Sequence, residues 1–107
     1  MESIVIHPPD MHDSFSRVVL DSVQYLIRFT YNDIANRWSF GLYTMQRKPL
    51  VVGIRLVPRF PLNLQIVDER FPKGFFSVRS DFEHIGRNDF IEGRAVFLYS
   101  PINDDII

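Results

Sequence analysis

Four side chains of metal-binding type, His7, Asp10, His12 and Asp13, crowd into the stretch beside Pro8-Pro9. Two imidazoles and two carboxylates are donors that a divalent ion accepts, yet their spacing fits none of the usual zinc signatures. The segment reads as a solvated loop. A second cluster, Asp81, Glu83, His84, Asp89 and Glu92, holds the residue types that general acid and base catalysis uses. Hydrolysis by paired carboxylates needs them on facing walls of a cleft, and nearness in sequence does not orient them so. The chain also lacks G-x-S-x-G, a P-loop and G-x-G-x-x-G, so nucleophilic and nucleotide-dependent catalysis have no support. The expectation is a protein that is not an enzyme and needs no metal or cofactor.

A third pattern places Arg59, Arg70, Lys73 and Arg79 among Phe60, Phe71, Phe75 and Phe76. Cations interleaved with aromatic rings are how small barrels hold single-stranded nucleic acid, by stacking bases inside a basic groove. Two features weigh against it. The net charge is -1, and Phe at alternating strand positions is core more often than platform. Charge is also unevenly spread: residues 1–45 carry net -2, residues 46–79 carry net +5, and residues 80–107 carry net -4. In a compact fold the positive middle and the negative end neutralise each other by lying side by side, which is the simpler reading.

At 107 residues the chain is one domain, long enough to bury roughly 65% of its unfolded surface without metals or disulfides. Ten Phe, four Tyr and one Trp tilt that core towards strands and large rings. Cysteine is absent, which excludes disulfides and thiolate chemistry. No run approaches the roughly 18 apolar residues that span a bilayer, and the N-terminus carries an acid where a secretory signal carries bases; no membrane partner is expected.

Alternation supplies the elements. Tyr25, Ile27, Phe29 and Tyr31 alternate with smaller or polar residues, as do Trp38, Phe40 and Leu42, the period-two signature of half-buried strands. Leu50 to Val57 follows, with Gly53 as a bulge that bends the strand towards barrel closure. These three strands form a meander from Tyr25 to Val57. Ser3 to Ile6 reads as an edge strand stopped by Pro8-Pro9, and Ser14 to Leu20 pairs with the meander through an Asp21-Ser22 turn. Asn32 to Asn36 is an Asx-rich hairpin loop. Further strands fall at Leu62 to Val67, Phe75 to Ser80 and Arg94 to Ser100, with at most a short helical turn within 81–93. Residues 1–13 are expected as an extended arm and 102–107 as a loose tail.

The run LDSVQYLIRFTYNDIANRWSFGLYTMQRKPLVVGIRLV resembles the small baseplate plug proteins of contractile-tailed phages. The likeness rests on Leu20-Asp21-Ser22, Tyr25 to Phe29 with Tyr31-Asn32, Trp38 to Tyr43, and Pro49-Leu50 through Gly53-Ile54 to Leu56-Val57. It continues in Asp81, Asn88-Asp89-Phe90, Gly93 to Val96 and Leu98-Tyr99, so it spans about residues 15–100. Ser22 replaces the turn Gly usual in the family, and Gln46-Arg47 stand where Asp-Gly is usual.

The resemblance implies an all-β, OB-like single small barrel used structurally, lodged in the central hub and spike complex and closing the tail channel until contraction. It implies synthesis in the host cytoplasm, residence in the virion tail baseplate, and hub, spike or tail tube proteins as partners, with a homo-oligomer within the baseplate left open. Charge and chain position single out Arg55, Arg59, Phe71 and Phe76 as partner-interface candidates. The alternative is a single-stranded nucleic-acid-binding barrel.

Overall fold

The computed structural model describes residues 3–59, 61–62 and 71–101, and these form strands, turns and loops with no helix. Their order is β1 (Ile4–Ile6), β2 (Asp13–Leu20), β3 (Val23–Asn32), β4 (Arg37–Tyr43), β5 (Pro49–Arg55), β6 (Phe75–Ser80) and β7 (Ala95–Ser100). The all-β class read from the alternation is what the chain adopts. The strand expected at Leu62 to Val67 falls almost wholly outside the described residues, as does the tail 102–107.

Strands β2-β3-β4-β5 form one antiparallel sheet and β1-β7-β6 another. Each turn of the meander has a local cause. Asp21 and Ser22 both take positive φ, 53° and 67°, between the paired Leu20 and Val23, which gives the backbone twist that a two-residue hairpin requires. The Asn32 side chain accepts the amides of Ile34 and Ala35 at 2.9 and 3.0 Å, the Asx turn that its composition favours. Gly53, at φ 69°, lies where β5 places Val52 and Gly53 opposite the single residue Gly41. That is the bulge expected there. A side chain on Gly41 would come within 2.9 Å of the Val51 carbonyl, so both glycines serve the bend.

Among the described residues the sheets are not closed into a barrel by continuous ladders. Beside β6 the chain makes one parallel bridge, Pro58 to Val78, and the Leu62 amide donates to the Phe76 carbonyl at 2.8 Å. On the far side β1 pairs only with β7 and β2 only with β3. Pro8 and Pro9 account for this, since they lack amide donors and hold the connection between β1 and β2 away from a ladder. The N-terminal segment is accordingly an edge strand, with Ile6 buried in the core and Ser3 Oγ 2.7 Å from Ser100 Oγ.

Side chains fill the space between the sheets. Phe29 and Phe40 meet Phe97 with ring centres 5.0 and 5.2 Å apart, and Phe40 meets Phe76 at 5.1 Å. Trp38 closes one end, edge-on to Tyr31 and Phe90. Its removal in Trp38→Ala is expected to lower unfolding free energy by about 3–5 kcal/mol. Urea titration followed by circular dichroism checks this; a loss below about 1 kcal/mol contradicts the packing described.

Candidate functional site

The segment 81–93 contains one helical turn, closed by the Glu92 amide on the Asn88 carbonyl at 3.0 Å. Within it Asp89 is buried. Its Oδ2 accepts the Gly86 amide at 2.6 Å and its Oδ1 accepts Arg94 Nε at 2.8 Å. The Asp89 carbonyl also takes the amides of Arg94 and Ala95. Gly86, so fixed, offers its carbonyl to Trp38 Nε1 at 3.1 Å. The carboxylate that sequence offered as a catalytic candidate is thus a clamp that ties the 86–94 loop to the core. Glu92 is bound to Arg94, and Glu83 lies 3.7 Å from Arg59 at an exposed position. The acidic stretch brings no two carboxylates to face each other across a cleft.

The metal-type quartet is dispersed in the same way. Asp10 pairs with Arg87 at 3.0 Å, His12 with Asp33 at 2.9 Å, and Asp13 with Arg28 through two bonds of 2.7 Å. Hydrogen bonding from Arg28 draws the Asp13 carboxyl below its ordinary pKa. Among the described residues no three His, Cys, Asp or Glu side chains gather as an ion would need. Arg87 in turn lies over the Trp38 and Tyr31 rings, 5.5 and 5.9 Å from their centres. These pairs pin the 7–12 crossing to the β3–β4 end of the larger sheet.

Of the four partner-interface candidates, Arg55 and Arg59 are exposed, whereas Phe71 and Phe76 lie inside. Phe76 is fully buried among Phe40, Phe71, Phe97 and Tyr99. Phe75 and Arg79, with Arg59, line an open groove of about 480 Å³ on the smaller sheet. Phe60 and Arg70 are outside the described residues. The rings of Phe71 and Phe76 therefore present no stacking platform, because strand alternation turns Phe76 inward while Phe75 points out.

Sequence reasoning missed two interactions of greater consequence. Tyr99, on β7, donates its hydroxyl to Asp21 Oδ2 at 2.5 Å and accepts the Gly74 amide at 2.9 Å. This joins the β2–β3 turn of one sheet to the other sheet. A Cβ on Gly74 would collide with the Tyr99 ring and the Ser100 carbonyl, so the close approach requires glycine. Burial, and then the bond to Asp21, push the Tyr99 phenol well above its ordinary pKa. The other lies outside the core: Phe15 meets Tyr43 edge-on at 5.1 Å, with the guanidiniums of Arg28 and Arg47 at 5.5 and 4.6 Å from its centre. The alternation of Asp13, Phe15 and Arg17 along β2 was the available signal for that outer face.

What these contacts define is a small two-sheet β-domain in which Asp10, His12, Asp13, Asp89 and Glu92 are bound up in structural pairs. The model of the family described as the cyanophage baseplate Pam3 plug gp18 matches residues 1–101. The chain belongs to that baseplate plug family and is a structural component of the phage tail baseplate. No individually curated protein matches it.

Two outcomes follow for the clamp and the staple. Asp89→Ala is expected to cost about 1.5–3 kcal/mol, since it strips the part-buried Gly86 amide and the Arg94 guanidinium of their acceptor. Asp81→Ala should stay within about 0.5 kcal/mol; equal losses in the two variants, measured by urea unfolding, contradict the clamp. Because the folded Tyr99 pKa is raised, its stabilisation is complete below about pH 10 and is lost as pH climbs through the folded value. Unfolding free energy should thus hold from pH 7 to 9 and fall above about pH 10. Tyr99→Phe should lose about 1–2 kcal/mol at pH 7 and show a shallower alkaline decline. A decline as steep as that of the unmodified chain contradicts this.

Proposed function

We propose that this chain is the plug of the central hub and spike complex of a contractile tail, where it closes the channel until contraction. The observation that carries this reading is the match to a baseplate plug family over residues 1–101. The architecture suits occlusion, since a body with Cα extents of 40 × 31 × 22 Å, filled by interlocked rings and stapled between its sheets, resists deformation. Closing a channel requires bulk and rigidity rather than a reactive group, so the protein acts without catalysis. On this reading residues 1–107 work as a single domain made in the host cytoplasm and assembled into the tail. Hub, spike or tail tube subunits grip its surface, with self-association within the baseplate as a further means of filling the channel.

Particles assembled without the chain are expected to lose or expose their genome. Nuclease digestion of purified particles should release DNA in its absence, and supplying the chain during assembly should restore protection. Full nuclease protection and normal infectivity without it contradict the reading.

A further inference from the structure

The outer face of the four-stranded sheet carries a charge pattern that the plug reading leaves unused. Register sets which side chains share that face. Phe15, Arg28 and Gly41 are aligned across β2, β3 and β4, Arg17 with Leu26 and Tyr43 in the next row, and Arg55 with Ser39 and Thr30 in the row on the other side. Arg37 pairs with Asn32 at the end of the same face, and Arg47 reaches it from the β4–β5 turn to lie over Phe15. Across this face Asp13 is the carboxylate in the strands, and it is committed to Arg28. Asp33, in the adjoining turn, is taken by His12. Among the described residues Arg17, Arg37, Arg47 and Arg55 are in no ion pair, and all four are exposed.

We propose that this face is the docking surface for an acidic face of a neighbouring baseplate protein, an inference that rests on the reading of the chain as a body gripped by other subunits. Uncompensated arginines on a flat sheet offer forked donors in a form that matches surface carboxylates. Arg47 is already ordered over the Phe15 ring, so less freedom is lost when it binds. Val19 and Val52, 55% and 58% exposed, add apolar contact between the charges. A nucleic acid is the poorer fit. Tyr43 is buried and Phe15 is half-buried, edge-packed and already met by two guanidiniums, so neither ring is open to a base. The whole chain also carries net charge -1.

The test compares the triple variant Arg17→Glu, Arg37→Glu, Arg55→Glu with a charge-matched control, Arg59→Glu, Lys73→Glu, Arg79→Glu. Arg47 is spared because it packs on Phe15. Each is supplied to particles lacking the chain, and incorporation is quantified by immunoblot, with thermal unfolding confirming the fold. Incorporation of the first triple variant should fall at least tenfold and that of the control stay within twofold. Equal incorporation of the triple variant and the unmodified chain overturns the proposal. In solution the unmodified chain should bind polyglutamate at low salt, weaken towards 0.5 M salt as screening shortens (about 4 Å at that strength), and lose at least tenfold in the triple variant. Tighter binding of a labelled oligothymidylate than of polyglutamate overturns the assignment in favour of a nucleic acid. The two readings fail separately. Unmodified chain found in the baseplate but off the tail axis sinks the plug and leaves the docking face standing, whereas a triple variant seated on the axis like the unmodified chain sinks the face and leaves the plug.

Discussion

Two sheets that share almost no backbone hydrogen bonds among the described residues are held together by something else, and here it is the interlock of rings around Phe97. Phe29 and Phe40 from the larger sheet pack against Phe97 and Phe76 from the smaller, each pair tilted or edge-on. Such pairs contribute about 0.5–1.5 kcal/mol each beyond the area they bury. Dispersion and burial have no direction, so this packing alone would permit sliding. The Tyr99 hydroxyl on Asp21 and the Trp38 indole on Gly86 supply the direction that the rings lack. Every exposed feature, including the arginine face, is positioned relative to that interlock.

Much of this was legible in the chain because it is local. Period-two alternation from Tyr25 to Leu42 shows both the strands and which side chains turn inward, and the Asn32 and Gly53 positions were readable from the backbone geometry those residues tolerate. The partition into two sheets was not legible, since ladder pairing joins β1 to β7 across almost the whole chain. Nor was the staple, whose partners are separated by 78 positions. Asp21 and Tyr99 look like an ordinary turn residue and an ordinary strand residue until the fold brings them together.

The residues with reactive chemistry show the same limit from the opposite side. His12, Asp13 and Asp89 have side chains that could serve a metal or a catalytic step, and composition alone does not reveal that each is bound to a neighbour. Phe71 and Phe76 stand among cations in sequence, yet burial removes them from the surface, while Arg55 and Arg59 remain there. Residues 46–79 carry the positive net charge, but the face that the sheet assembles also draws on Arg17, Arg28 and Arg37 from residues 1–45, whose net charge is negative. A surface is a property of register, and here the register is set by the hairpins that lay β2, β3, β4 and β5 side by side.

The proposed plug is a rigid body wedged in a channel and displaced whole, and such a body works through internal staples like those of Tyr99 and Trp38. Cryo-electron microscopy of the same tail in its extended and contracted states tests this most directly. The account predicts a compact two-sheet density on the tail axis in the extended state, seated through the four-stranded sheet, and its displacement from the axis after contraction. A density at the baseplate periphery, or one that stays on the axis of the contracted tail, would contradict it.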